Sequence, residues 1–144
     1  MRIIVDTNIV FSAILNTNSK IARIFFQPKT GFNFYSTIKL LEEIEEHKTK
    51  IQSLTKLSNT ELDRIITLVT NRIRFINYNL IPIEIYNYAE KLTQDVDIDD
   101  TEFIALTEHI KGKLWTGDKV LIKGISKKNW NKFITTEELQ IKLK

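Results

Sequence analysis

The stretch that decides the fold is "MRIIVDTNIVFSAIL", residues 1–15. Ile3 to Val5, with Arg2 at the edge, is a short β-prone apolar run and reads as a buried strand. It stops at Asp6-Thr7-Asn8, and a second apolar stretch follows at once. A strand without polar alternation belongs to a parallel sheet covered on both faces. Burying a carboxylate at its end is unfavourable unless something there needs the charge, so Asp6 calls for an explanation.

Short apolar runs and longer helical patterns alternate along the rest of the chain, the signature of βαβ units. Strands are expected at Ile3–Val5, Phe32–Tyr35, Arg74–Ile76, Lys113–Thr116 and Lys132–Ile134. Between them lie helical patterns such as "SKIARIFF", "IKLLEEIEEHKTKI", "IEIYNYAEKL" and "TEFIALTEHI". "SNTELDRIITLVTNRI" opens with Ser58 three residues before Glu61, and "TTEELQIKL" pairs Thr135 with Glu138, both at capping-box spacing. The expected fold is α/β: a three-layer α/β/α sandwich around a parallel sheet of about five strands, one domain over residues 1–144. Ligands of open parallel sheets bind beyond the carboxyl ends of the strands, the rim on which Asp6 sits.

Composition narrows the class. The chain has 144 residues, 42% of them apolar, with two prolines, four glycines and no cysteine. Disulfides, thiolate zinc and Fe–S clusters are excluded, and a reducing cytoplasmic location is expected. No apolar run approaches the roughly 18 residues of a membrane span. The formal charge is +3, unevenly spread. Residues 113–144 carry eight lysines against Asp118, Glu137 and Glu138, a balance of +5 that leaves −2 for the remainder. A basic C-terminal quarter, with Lys119, Lys123, Lys127 and Lys128 close together, suits a polyanion such as nucleic acid; a solvated lysine face is the plain alternative.

Further carboxylates point to the same rim. "KLWTGDKVL" breaks at Thr116-Gly117-Asp118 as the first strand breaks at Asp6. In "DVDIDDTEFIAL", Asp99 and Glu102 have capping-box spacing, which makes Asp99 the expected N-cap and Asp100 the first helical residue. Glu43 lies beside the apolar row of Leu40 and Ile44, whereas Glu42, Glu45 and Glu46 should face solvent. Each acid has a structural explanation as a cap, turn or surface residue. Together they would repel unless a cation held them. Carboxylate oxygens without a histidine cluster suit Mg²⁺ or Mn²⁺, since His47 and His109 are isolated. Phosphodiester hydrolysis is the reaction that most needs such an ion.

In this order and with these gaps, "IIVDTNIVFSAIL", "STIKLLEEIEEH", "DIDDTEFIAL" and "LWTGDKVLI" resemble the PIN-domain nucleases. The resemblance is closest to the single-domain toxin components of toxin–antitoxin pairs, the VapC-like group. It implies a metal-dependent endoribonuclease with an acidic quartet at Asp6, Glu43, Asp100 and Asp118, of which Asp6, Asp100 and Asp118 hold the metal. It implies supporting roles for Asn8 and Thr116, with Asp97 or Asp99 assisting around the metal. It also implies an RNA substrate, a homodimer, and an antitoxin whose helix or tail lies over the acidic cleft, supplying the restraint for which the chain has no visible segment of its own. The rivals are a catalytically silent PIN-like module that binds RNA or protein, and a housekeeping RNA-processing nuclease. Other phosphate enzymes fit poorly: Asn8 stands where an Asp-x-Asp pair needs its second acid, Asn77 follows the middle strand where a receiver domain needs aspartate, and no Gly-rich phosphate loop occurs.

Overall fold

A computed structural model describes residues 1–143. Its five strands are β1 (Arg2–Val5), β2 (Asn33–Thr37), β3 (Ile73–Ile76), β4 (Lys113–Trp115) and β5 (Phe133–Ile134). All pair in parallel, in the order β3-β2-β1-β4-β5. The helices are α1 (Thr7–Leu15), α2 (Lys20–Phe26), α3 (Ile38–Thr55), α4 (Asn59–Thr70), α5 (Ile83–Thr93), α6 (Thr101–Ile110), α7 (Lys119–Ser126) and α8 (Thr136–Lys142).

The period of two along β1 divides the core. Ile3 and Val5 pack with Phe34 and Trp115 against α1 to α4 and α8. Ile4 points the other way and packs with Leu114 against α5, α6 and α7. The result is a three-layer α/β/α sandwich with a parallel sheet, as the sequence pattern indicated. From β1 the chain steps through β2 to β3 with its helices on the first face. It then returns across β1 to β4 and β5 with its helices on the second. Reversing direction and face together keeps the crossover hand constant. The reversal makes the junction of β1 and β4 a topological switch point, where crevices open at the strand ends.

The capping boxes at Ser58/Glu61 and Thr135/Glu138 both form. Three details differ from the pattern. β2 runs two residues further, to Thr37, because Ser36 and Thr37 pair with Phe75 and Ile76 of β3, while the Ser36 hydroxyl donates to the Val5 carbonyl at 2.9 Å and ties this end to β1. Thr116 and Lys132 lie just outside β4 and β5. The segment 119–126, to which the sequence pattern assigned no element, is helix α7. Its β-branched residues and Gly124 disfavour a helix locally, yet Leu121 and Ile125 bury one face in the second core and Asp118 caps its start.

α6 ends in the left-handed Lys111, and Gly112 then passes against β1. A Cβ at Gly112 would lie 2.5 Å from Ile4 Cδ1 and 2.7 Å from the Arg2 carbonyl oxygen. That oxygen belongs to a strand paired on both sides and cannot retreat. Gly112→Ala should therefore cost about 1–3 kcal/mol, the range for overpacking. Urea unfolding should show a lower midpoint at unchanged slope; an unchanged midpoint would mean that β1 yields.

Candidate metal centre

Three acids are fixed by the backbone of the element that follows each. Asp6 leaves β1 and accepts the Ile9 N–H at 2.9 Å, capping α1. Asp118 leaves the β4 rim and accepts the Leu121 N–H at 3.0 Å, capping α7. Asp97 accepts the Asp99 N–H at 3.1 Å and caps a 3-10 turn, Ile98–Asp100, that leads into α6. In each case this backbone bond uses Oδ1 of the carboxylate. The structural role and a site role are therefore compatible at the same residue.

Asp100 stands at the cap position of α6 without a side-chain cap bond. This corrects the expected Asp99–Glu102 capping box: Asp97 takes the capping role two residues earlier, and the 3-10 turn displaces Asp99 outward. One oxygen each from Asp97, Asp100 and Asp118 lie within 4.8 Å of one another. Asp6 lies beside them, close enough for its charge to act on Asp100 and to feel those of Asp118 and Glu43. The acids from β1, β4, α3 and the α6 entry thus converge at the switch point. Asp97, expected from the sequence only to assist around the metal, stands within this group of three.

Burial and mutual repulsion mark the group. Asp6 is only 4% exposed. Burial, opposed by the Thr116 hydroxyl and the Ile9 N–H, pushes its carboxyl up to about 6. Asp100 is pushed up to about 7, first by burial and then by Asp97, Asp6 and Asp118, with Lys39 opposing. Thr116 is buried, and its Oγ1 also accepts the Asp118 N–H at 3.1 Å, so one hydroxyl links the ends of β1 and β4. A hollow lined by Asp6, Thr7, Asn8, Glu43, Asp99 and Asp100 opens beside the group. In it the buried Thr7 Oγ1 has no hydrogen-bond partner among the described residues. Hard carboxylate oxygens without His or Cys, raised carboxyl pKa values and an orphaned hydroxyl fit a divalent cation.

Glu43 is half-buried at the rim, while Glu42, Glu45 and Glu46 are exposed. Lys39, one helical turn before Glu43, lies 3.9 Å from it and donates to the Asp99 carbonyl at 2.6 Å. Lys39 is not among the residues that the sequence singles out; its i,i+4 spacing to Glu43 is the signal that points to it. Lys119, Lys123 and Lys127 are exposed and recur every four residues from the start of α7. Lys128 is committed elsewhere, to the Asp95 carboxylate and, at 2.9 Å, to the Leu92 carbonyl. It pins the loop before Asp97 and is withdrawn from the polyanion-facing set that the sequence suggested.

The fold and this acidic centre define a class: α/β proteins that hold a divalent cation among carboxylates at the switch point of a parallel sheet. A family profile described as PIN domain matches residues 4–144, and the chain belongs to that family. At the coarse level which membership carries, this is a family of metal-dependent nucleases. Comparison with the curated proteins gives no significant match. No helix among the described residues is long and apolar enough to cross a membrane.

The raised carboxyls have a consequence for stability. A carboxyl whose pKa is higher folded than unfolded favours the fold fully below its unfolded value, and that contribution is lost as pH rises through the folded value. For Asp100 the window runs from its ordinary value of 3.8 to about 7. In metal-free protein, Asp100→Asn should match the wild-type melting temperature near pH 4 and exceed it increasingly up to pH 8. A constant difference across that range would show that Asp100 keeps an ordinary pKa.

Proposed function

We propose that this chain is a Mg²⁺- or Mn²⁺-dependent endoribonuclease and the toxin of a toxin–antitoxin pair, acting as a homodimer in the cytoplasm through one PIN domain over residues 1–144. The observation that supports the reading most is the group of Asp97, Asp100 and Asp118 oxygens within 4.8 Å, with buried Asp6 beside it at the switch point. Asp6, Asp100 and Asp118 would hold the cation, with Asp97 completing the shell. When bound, the ion would activate a water and neutralise charge developing on the phosphoryl oxygens.

The remaining steps fall to the chain's own groups. Glu43 is 26% exposed at the rim and keeps contact with solvent, which suits it to take a proton from the attacking water. Lys39, next to Glu43, would hold a phosphate oxygen of the substrate. Asn8 lines the hollow and would orient the groups there, and Thr116 keeps Asp6 and Asp118 in register. The stripe Lys119, Lys123 and Lys127 begins immediately after Asp118 and would carry the RNA backbone towards the acids. An antitoxin laying a basic side chain among the acids would compete with the cation for the same oxygens.

Purified protein should cleave RNA with Mg²⁺ or Mn²⁺ and stop in EDTA. Asp6→Asn, Asp100→Asn or Asp118→Asn should remove several orders of magnitude of rate while circular dichroism stays native. Glu43→Gln should be comparably damaging and Glu42→Gln nearly silent. Undiminished cleavage in EDTA would end the metal-dependent reading. Expression of wild type alone should slow growth, and Asp6→Asn should relieve it while still capturing the antitoxin; a harmless wild type that captures no small protein removes the toxin role and leaves the nuclease.

Charge reversal at Lys119, Lys123 and Lys127 should raise KM and flatten its dependence on salt, because fewer counterions are released on binding. The rate at saturation should hold. Lys128→Glu should instead lower the melting temperature, since it breaks the tie to Asp95 and Leu92. An unmoved KM and salt slope in the triple variant would reduce the stripe to a solvated face.

A further inference from the structure

The turn that brings Asp97 and Asp100 to the acidic centre is weakly anchored by its own side chains. Ile98, its one apolar residue, is 54% exposed, and Asp99 is exposed as well. Most of its hydrogen bonds are local. The Asp97 N–H donates to the Thr93 carbonyl, the Asp100 N–H to the Asp97 carbonyl, and the Thr101 hydroxyl to the Ile98 carbonyl. Just before the turn, Val96 sits over Gly124 of α7, so closely that a Cβ at Gly124 would lie 2.8 Å from Val96 Cγ2. That contact fixes the start of the turn against the helix that Asp118 caps. At the other end the tie crosses to α3, through Lys39.

Lys39 lies in the first turn of α3, just beyond the end of β2, so the sheet itself sets its position. Its side chain is only 23% exposed. Its Nζ donates to the Asp99 carbonyl at 2.6 Å, joining residues 60 apart in the chain. The Asp99 N–H is meanwhile held by Asp97 Oδ1 at 3.1 Å. Both backbone groups of Asp99 are therefore engaged. The engaged carbonyl belongs to the peptide unit that carries Asp100, whose own side chain makes no cap bond. Swinging Asp100 away from the centre means rotating that peptide and breaking the Lys39 bond. A charge-assisted bond of this kind is stronger than a neutral one, whereas the rim contact between Lys39 and Glu43 at 3.9 Å contributes little. The Lys39 charge also opposes the repulsion that Asp97, Asp6 and Asp118 exert on Asp100.

We infer that Lys39 is a positioning residue: it holds the Asp97–Asp100 turn against α3 in the arrangement that accepts a divalent cation. The inference deepens the metal-dependent reading of this centre and rests on it. Lys39 could act on a cation in two opposite ways. A group that orients a ligand from outside the shell raises metal affinity. A bare positive charge beside the site lowers it by repulsion. The geometry favours the first. Glu43 is the one carboxylate within 4 Å of Lys39 Nζ among the described residues, so the ammonium does not stand in the place of the cation between Asp97, Asp100 and Asp118. Its short bond goes to backbone instead. An ammonium has three N–H donors, so the bond to Asp99 leaves others for a substrate phosphate.

The test uses metal binding and amide exchange, neither of which needs turnover. Mn²⁺ is titrated into the metal-free full chain and the free ion read by electron paramagnetic resonance, for wild type, Lys39→Met and Lys39→Arg. Lys39→Met should weaken Mn²⁺ binding about tenfold. Lys39→Arg keeps the charge and the donors and should recover most of the loss. In metal-free Lys39→Met, amide exchange over residues 97–103 should rise several-fold while β1 and β4 keep their protection. Tighter or unchanged Mn²⁺ binding in Lys39→Met overturns the inference, and so does exchange over 97–103 that stays at the wild-type rate. Should Lys39→Met lose protection throughout the sheet, the milder Lys39→Gln decides by the same two measures. Cleavage of RNA by the same wild-type preparation separates this inference from the nuclease reading. Cleavage with Mn²⁺ affinity indifferent to Lys39 sinks the inference alone, whereas Lys39-dependent Mn²⁺ binding without cleavage keeps it and sinks the nuclease. A wild type that binds no Mn²⁺ sinks both.

Discussion

A carboxylate buried at the end of the central strand is the constraint on which the rest depends. Asp6 follows Ile3, Ile4 and Val5, all fully buried, in a strand with neighbours on both sides. Its charge is held by one backbone donor from α1 and by the Thr116 hydroxyl beside it. Both come from protein groups that are in place whether or not a cation is present. The same holds for Asp118 and Asp97, each tied to a backbone N–H. The fold therefore gathers like charges by local hydrogen bonds and leaves their repulsion unrelieved. That repulsion, added to burial, is what lifts Asp6 and Asp100 above ordinary carboxylates.

Asp100 takes the largest share because it alone of these acids lacks a cap bond. It sits at the α6 cap position with no side-chain partner, between the charges of Asp97, Asp6 and Asp118. An N–H donor would favour its ionised form; the 3-10 turn has already used the donor at Asp99 for Asp97. One residue of difference in where a helix begins thus divides the acids into a capped set, firmly placed, and an uncapped member free to turn toward a ligand.

Much of this was legible in the sequence because it is local. Apolar runs gave all five strands, since a buried strand has no other reading once helical spacing is absent, and Ser58/Glu61 and Thr135/Glu138 marked two helix starts. Asp6 and Asp118 stood out because each ends a strand run. What was illegible arises between segments distant in the chain. The helical state of 119–126 depends on Leu121 and Ile125 reaching a core built mostly by α5 and α6, against a weak local propensity. Lys128 looked like its neighbours in sequence, but only the return of the chain from α5 brings Asp95 and the Leu92 carbonyl to it. Asp99 and Asp97 exchanged roles because capping-box spacing cannot distinguish an α-helical start from a preceding 3-10 turn.

The distribution of charge is sharper in space than along the chain. Lys128 and Lys132, both in the basic quarter, are spent internally on Asp95 and Glu108. Lys132 shares Glu108 with the Trp130 indole N–H at 2.6 Å, so it belongs to the anchoring of β5. What remains exposed is the stripe of Lys119 and Lys123 on α7 and Lys127 at its C-cap, on the very helix whose start Asp118 caps. One short helix thus carries an acid at its N-terminus, where the helix dipole favours negative charge, and cations along its exposed side. Sign alternates around the rim in the same way at Lys39, set between Glu43 and the Asp99 carbonyl. A uniformly acidic rim would repel a phosphate chain, and a uniformly basic one could not concentrate a divalent cation. Interleaving the two signs on rigid elements lets both charges approach within one cleft, and here the topology of the sheet supplies the interleaving.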